Sequence, residues 1–188
     1  MNNPNKIIFQ LLLVTLTFIV GCGGMEATNE KENEVIYSTN DSPTPNDKES
    51  LIDRNKKMIL IEQEKIDSFI SNNNYLMEET KTGIHYLISE VGKGDKPKNL
   101  AEVVLKYNIK LLDNSYCYSS DSSGILQIKI GQSNEPTGLQ EVLQLIPCGS
   151  KAKIIIPSYL AYGISGDGNK IGSGASLVYT IELLKVKN

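Results

Sequence analysis

The segment Val103-Val-Leu-Lys-Tyr-Asn-Ile-Lys-Leu-Leu112 decides the fold class. Every second side chain is apolar, and the residues between them are mostly polar. The apolar set is Val103, Leu105, Tyr107, Ile109 and Leu111, and the polar set is Lys106, Asn108 and Lys110. Because successive side chains of a strand point to opposite faces, this period of two predicts a strand with one face in the core and one in water.

Four more segments have the pattern of strands: residues 83–91, 125–130, 151–156 and 176–186. One helical segment interrupts them. Thr137 can cap that helix, with Gln140 three residues on as the partner in a capping box. Its apolar stripe consists of Leu139, Val142, Leu143 and Ile146.

A sheet with one apolar face must cover that face, and a single apolar helix meets this need. We therefore predict an α+β fold, in which a curved antiparallel β-sheet wraps around one short α-helix. The predicted domain covers residues 75–188.

A second helix is predicted before this domain, in residues 49–74. Apolar side chains recur there at intervals of three and four residues, from about Glu49 to Asn72, which indicates an amphipathic helix. The recurring positions are Leu51, Ile52, Met58, Ile59, Ile66, Phe69 and Ile70, and the pattern is broken only near Asn55 and Glu62. Two interpretations remain open. In the first, the stripe packs on its own domain or is merely solvated. In the second, it joins two copies of the chain in a homodimer.

The first 21 residues resemble a bacterial lipoprotein signal peptide. Lys6 precedes an apolar run over residues 7–20, and Cys22 follows a small residue. A run of about 14 residues is too short to span a bilayer core of about 30 Å as a helix, which favours a cleaved signal. The resemblance implies a lipid on Cys22 that attaches the protein to a membrane. Residues 22–48 are polar and predict a disordered tether.

Charge argues against a nucleic-acid partner. The 188 residues carry a formal net charge of -3, the isoelectric point is about 5.3, and no basic stripe is present. Besides Cys22, the sequence has two cysteines, Cys117 and Cys148. Their spacing does not decide whether they form a disulfide.

The predicted domain resembles the FKBP family of peptidyl-prolyl isomerases over roughly residues 80–187. The resemblance lies in several motifs, among them Thr137-Gly-Leu-Gln-Glu-Val-Leu143, Gly149-Ser-Lys-Ala-Lys-Ile154, Ala161-Tyr-Gly163 and Leu177-Val-Tyr-Thr-Ile-Glu-Leu-Leu184. Within the family, the chain looks most similar to isomerase-like lipoproteins associated with gliding motility. The implied activity is cis-trans isomerisation of X-Pro bonds in proline-containing polypeptides, without a cofactor or metal.

The resemblance also implies a set of site residues. The implied catalytic residues are Tyr107, Tyr162, Ile171 and Tyr179. Tyr162 would donate from its hydroxyl to a substrate carbonyl, and Ile171 would lie on a flap over residues 166–172. The implied substrate-binding residues are Leu126, Pro136, Leu139, Cys117 and Tyr118.

Leu139 stands where many members have a tryptophan, and Leu126 where they have a phenylalanine. The departures at three other residues are more serious. Cys117 and Tyr118 stand where a Phe-Asp pair is usual, so the buried carboxylate is absent. Pro136 stands where a backbone N–H bonds the ligand, and proline has no such donor. These departures support a second hypothesis, a noncatalytic chaperone or assembly module of a gliding or secretion machinery. In either case we expect a lipid-anchored protein of the cell envelope, in the outer membrane and facing the periplasm.

Overall fold

The structure is a computed structural model that describes the backbone of residues 45–188 and the side chains from residue 50 onward. The predicted signal peptide, the lipidation site Cys22 and residues 22–44 of the predicted tether lie outside the described residues. None of the helices in the described part of the chain is both long and apolar enough to cross a membrane.

The described residues form a seven-stranded sheet in which every pairing is antiparallel. The strands are β1 (Glu78–Glu79), β2 (His85–Glu90), β3 (Glu102–Leu111), β4 (Tyr116–Ser119), β5 (Leu126–Lys129), β6 (Lys151–Ile156) and β7 (Leu177–Lys187). Their order is β1-β2-β6-β7-β3-β4, and β5 also pairs with β3. The helices are α1 (Pro45–Asn72), α2 (Ser120–Ser123) and α3 (Thr137–Leu143), and a 3-10 turn covers Ser158–Leu160.

The predicted fold class is confirmed, and the inner face of the sheet packs on α3. The apolar stripe is fully buried: Leu139, Val142 and Leu143 on α3, and Ile146 just after the helix, are all at 0% exposure. Side chains from the inner face of β3 share this core, among them Val103, Leu105 and Ile109. Alternation along β3 therefore identified the buried face correctly.

The predicted capping box on α3 is wrong. The residue before the helix, Pro136, takes the capping position and makes no side-chain cap. Gln140 is buried, and its amide bonds the preceding loop: its Oε1 accepts from the Gly131 N–H at 2.7 Å, and its Nε2 donates to the Glu135 carbonyl at 2.7 Å. The Thr137 hydroxyl donates to the Leu160 carbonyl at 3.4 Å. Both side chains satisfy tertiary partners, so neither is available to cap.

The helix α1 begins at Pro45, four residues before the predicted start, and ends at Asn72 as predicted. Its last third packs on the outer face of the sheet, where Ile66 and Phe69 contact Ile155 and Val178. The alternation predicted an outer face in water. This prediction is wrong where α1 covers the sheet. Further towards the start of α1 the apolar side chains are exposed: Leu51, Ile52, Met58, Ile59, Leu60 and Ile61.

Candidate functional site

The first wall of the site comes from two neighbouring strands. Tyr107 lies on β3 and Tyr179 on β7, and the register pairs Ile109 with Tyr179. Residues two apart on a strand share a face, so Tyr107 and Tyr179 lie on the same side of the sheet and are diagonal neighbours. Tyr179 is fully buried, whereas Tyr107 is half-buried.

The second wall comes from the connection between β6 and β7. Hydrogen bonds to the Ser158 carbonyl from the amides of Ala161 and Gly163, at 3.0 and 2.8 Å, form the turn that carries Tyr162. Gly163 takes a φ of 61° there, in the left-handed region that favours glycine. Farther along the same connection, Ile171 is 2% exposed.

The remaining predicted residues lie around these four. Leu139 on α3 and Cys117 on β4 are buried, and Leu126 on β5 and Tyr118 on β4 are half-buried. These four residues belong to the same apolar cluster as Tyr107, Tyr162, Ile171 and Tyr179, and we call these eight residues the pocket. Pro136 is buried at the start of α3, directly beside Glu135. The structure therefore brings together residues that span 72 positions of the sequence.

Hydrogen bonds hold the flap (residues 166–172) against β4. The Tyr118 hydroxyl donates to Asp167 Oδ2 at 2.5 Å. The other carboxylate oxygen, Oδ1, accepts from the amides of Asn169 and Ile171 at 2.9 and 2.8 Å. Lys170 Nζ donates to the Cys117 carbonyl at 2.8 Å. These bonds hold the backbone at Ile171 in place.

Two carboxyl groups that sequence reasoning missed lie near the pocket. Asp167 approaches from the flap through Tyr118. Glu135 is half-buried next to Pro136, and its charge acts on the hydroxyls of Tyr162 and Tyr179. The sequence signal for Glu135 was its position in a polar loop, next to Pro136 at the start of α3. The Asp167-Gly-Asn169 spacing was the signal for the flap turn, since an aspartate readily accepts from amides one or two residues later.

Burial controls the protonation of the pocket. Burial, with smaller contributions from Glu135 and Asp167, raises the pKa of Tyr162 to about 12. Burial also raises the pKa of Tyr179 well above its ordinary value. Both hydroxyls therefore stay protonated at neutral pH and can donate hydrogen bonds. Burial raises the pKa of the Cys117 thiol as well, which disfavours the thiolate that nucleophilic chemistry requires.

The pocket presents apolar and aromatic surface, and burial disfavours ionisation of the Cys117 thiol. Its base is closed by the buried residues Ile171, Tyr179 and Leu139. The half-buried residues Tyr107 and Tyr162 form the side nearest to solvent, and the Tyr162 hydroxyl can donate there.

A family model supports this description. Residues 93–184 match the model of FKBP-type peptidyl-prolyl cis-trans isomerases. These residues include all nine predicted pocket and substrate-binding positions. They exclude α1, which lies before the matched segment.

Several curated proteins are similar to the chain. A probable FKBP-type peptidyl-prolyl cis-trans isomerase, FkpA of Neisseria meningitidis serogroup B, is 31% identical over 137 residues, which is 72% of this chain and 50% of that protein. The outer membrane protein MIP of Legionella longbeachae is 32% identical over 123 residues, or 64% of this chain and 52% of that protein. FkpA of Escherichia coli is 36% identical over 116 residues, or 59% of this chain and 40% of that protein. The chain thus spans about half the length of the curated relatives it matches.

Solved structures show the same fold. The crystal structure of FkpA from Escherichia coli superposes with a TM-score of 0.60 at 27% identity, covering 78% of this chain and 74% of that chain. A peptidyl-prolyl cis-trans isomerase from Pseudomonas syringae pv. tomato superposes with a TM-score of 0.59 at 26% identity, covering 71% of this chain and 96% of that chain. Through residues 93–184, the chain belongs to the FKBP-type peptidyl-prolyl cis-trans isomerase family.

Proposed function

We propose that the protein is a peptidyl-prolyl cis-trans isomerase that acts on X-Pro bonds of exported or envelope proteins. The observation that carries this proposal is the convergence of Tyr107, Tyr162, Ile171 and Tyr179 in one apolar cluster. The names of the similar proteins support the same activity.

The proposed mechanism depends on the charge distribution of the amide. Rotation about an X-Pro bond is opposed by resonance, with a barrier of about 18–20 kcal/mol. In the twisted transition state this resonance is lost, so the amide is less dipolar than either planar isomer. An apolar pocket therefore disfavours the planar forms relative to the twisted form, when compared with water. Each tenfold increase in rate requires only about 1.4 kcal/mol of such differential stabilisation.

A protease-coupled assay on an X-Pro peptide tests this proposal. We expect turnover by the wild-type protein and a clear loss in Tyr162→Phe and in Tyr179→Ala. Turnover equal to that of buffer would contradict the proposal. Rates that are equal in wild type and both variants would also contradict it, because the pocket would then not be the site.

The relatives favour this activity over a noncatalytic module of a gliding or secretion machinery, because they are named as isomerases. The alternative predicts that client binding survives when substitutions in the pocket remove the isomerase rate. Binding of an unfolded client to wild type and Tyr162→Phe, measured beside the rate, separates the two hypotheses.

We also propose that a lipid on Cys22 anchors the protein in the cell envelope, in the outer membrane and facing the periplasm. The lipobox-like Cys22 supports this location, and one similar protein is named an outer membrane protein. Globomycin, which blocks the lipoprotein signal peptidase, should shift the protein to a longer precursor. No shift in wild type, or an equal shift in Cys22→Ser, would contradict the proposal.

A homodimer through α1 is the last part of this proposal. Met58 is 59% exposed and Leu60 is 64% exposed. Both lie on α1 before Ile66 and Phe69, the residues that pack on the sheet. Met58 also lines a groove of about 640 Å³ between α1 and the β6–β7 connection, with Tyr159 and Ile164 on its other side. A second copy of α1 has the apolar side chains to fill such a groove. Sedimentation should show a dimer that Met58→Asp weakens and Leu76→Asp, a control on an exposed loop, does not.

A further inference from the structure

The hydroxyl of Tyr179 has no hydrogen-bond partner. It is the one buried side-chain oxygen or nitrogen among the described residues that lacks a partner. The tyrosine itself is 0% exposed. Buried polar groups are almost always paired, because an unpaired hydroxyl loses its bonds to water and gains nothing in return. Phenylalanine would fill the same place without that cost, so the hydroxyl requires an explanation.

The surroundings of this hydroxyl place it in the pocket. The groups near enough to influence its pKa are Tyr162, Glu135, Tyr107 and Cys117. Three of these are pocket residues, and Glu135 lies beside Pro136 at the start of α3. The strand register places Tyr179 on the same face of the sheet as Tyr107, which is the face that carries the pocket.

Two other groups beside the pocket cannot supply a free donor. The Tyr118 hydroxyl already donates to Asp167. Pro136 has no N–H, and its carbonyl accepts from the Gln140 amide. A peptide backbone in the pocket therefore brings carbonyl oxygens to a wall with few free donors, and the Tyr179 hydroxyl is one of them.

We propose that the Tyr179 hydroxyl donates a hydrogen bond to a carbonyl oxygen of the bound X-Pro segment. This inference rests on the proposed isomerase function. A fixed donor stabilises whichever geometry of the substrate brings an acceptor to it. The missing partner in the free protein is then the substrate itself, and the hydroxyl adds a polar, directional contact to a wall that otherwise offers only an aromatic surface.

The substitution Tyr179→Phe tests the proposal, because it removes the hydroxyl and keeps the ring. The melting temperature and kcat/KM should respond differently to this substitution. The melting temperature should stay equal or rise, since an unpaired buried hydroxyl is removed. The value of kcat/KM on an X-Pro peptide should fall about fivefold, which is the size of effect expected for one net hydrogen bond. Titration with the same peptide shows when the bond forms. The affinity should fall if the bond is present before the amide twists, and it should stay equal if the bond forms only during twisting.

The matched control is Tyr86→Phe. The Tyr86 hydroxyl donates to Glu78 at 2.6 Å, outside the pocket, so this variant should retain wild-type kcat/KM. Equal kcat/KM in wild type and Tyr179→Phe would overturn the inference. A lower melting temperature for Tyr179→Phe with unchanged kinetics would also overturn it, because the hydroxyl would then have a structural partner.

The outcomes separate this inference from the proposed function. An active wild type with an equally active Tyr179→Phe removes only the inference. If the wild type binds the peptide but does not isomerise it, the proposed activity is wrong, and the affinity comparison decides the inference. Weaker binding by Tyr179→Phe would support the bond, and equal binding would overturn it.

Discussion

Glu62 and Ser158 are joined by two hydrogen bonds, although they lie 96 positions apart in the sequence. The Ser158 amide donates to Glu62 Oε1 at 2.6 Å, and its hydroxyl donates to Oε2 at 2.9 Å. The Ser176 hydroxyl also donates to Oε1, at 2.5 Å. Ser158 and Ser176 flank the connection that carries Tyr162 and Ile171. The position of α1 is thereby tied to both ends of the connection that forms the second wall of the pocket.

Removal of this contact should loosen α1. In Glu62→Ala the amide of Ser158 loses its acceptor, and three hydrogen bonds to a partly buried carboxylate disappear. We expect the free energy of unfolding to fall by at least about 2 kcal/mol, because a single hydrogen bond to a charged group makes a net contribution of about 1.5–3 kcal/mol. Urea unfolding measures the change. Glu64→Ala, an exposed glutamate on the same helix, is the control, and equal urea midpoints for the two variants would contradict this role.

Loss of the Tyr118 hydroxyl should release the flap without unfolding the domain. Tyr118→Phe removes the bond to Asp167, whose carboxylate orders the amides of Asn169 and Ile171. The Ile171 amide should then exchange with solvent several-fold faster, since flap opening needs to break fewer contacts. Hydrogen exchange followed by NMR measures this rate. Tyr86→Phe should leave it unchanged, and equal rates in wild type and Tyr118→Phe would show that the backbone alone holds the flap.

Tyr162 should make the protein sensitive to alkali. Burial raises the pKa of Tyr162 to about 12, above the ordinary 10.0. The stability that this shift contributes is fully present below pH 10 and is lost as the pH rises towards 12, because only the unfolded chain ionises in that interval. The alkaline loss should be smaller in Tyr162→Phe. Urea unfolding from about pH 9 to about pH 11.5 checks this.

Tyr116→Phe provides the control for that experiment. Hydrogen bonds with the Ser119 and Ser122 hydroxyls lower the pKa of Tyr116. Its removal should therefore not protect the protein against alkali. A similar alkaline loss in wild type and Tyr162→Phe would mean that the hydroxyl of Tyr162 is well hydrated.

Glu135 should destabilise the native state at neutral pH. Burial raises the pKa of Glu135 above its ordinary 4.5, so folding favours the neutral form. This contribution is present below pH 4.5 and is lost as the pH rises through the raised pKa. Glu135→Gln, which is neutral at every pH, should stabilise the protein at pH 7 and change little at about pH 4. Chemical unfolding at the two pH values measures the change in stability, with Glu64→Gln at an exposed glutamate as the control. An equal change in stability at both pH values would contradict the prediction.

Local patterns were sufficient for much of the fold. Alternation along residues 103–112 identified the buried face of β3, and the stripe of α3 identified the helix beneath the sheet. Both signals come from burial, which acts on every residue of an element. Strand β4 was missed because its four residues, Tyr116–Ser119, are too few to show a period.

Features that depend on a single distant partner were not predictable. Glu62 interrupts the apolar stripe of α1, and the sequence offers no sign that its partner is Ser158. Gln140 fits a capping box, yet its amide bonds a loop that only the folded chain brings near. For the pocket, family motifs located the walls. Glu135 and Asp167 were missed, because two loops bring these residues near the walls only in the folded chain.

Exchange spectroscopy on a proline-containing peptide tests the central claim most directly, because NMR observes cis-trans interconversion without a coupling enzyme. The account predicts that wild-type protein accelerates interconversion in proportion to its concentration, and that Tyr107→Ala and Tyr162→Phe lower the acceleration while Tyr86→Phe does not. An interconversion rate that stays at the uncatalysed value with wild-type protein, or that is the same for all four proteins, would contradict it.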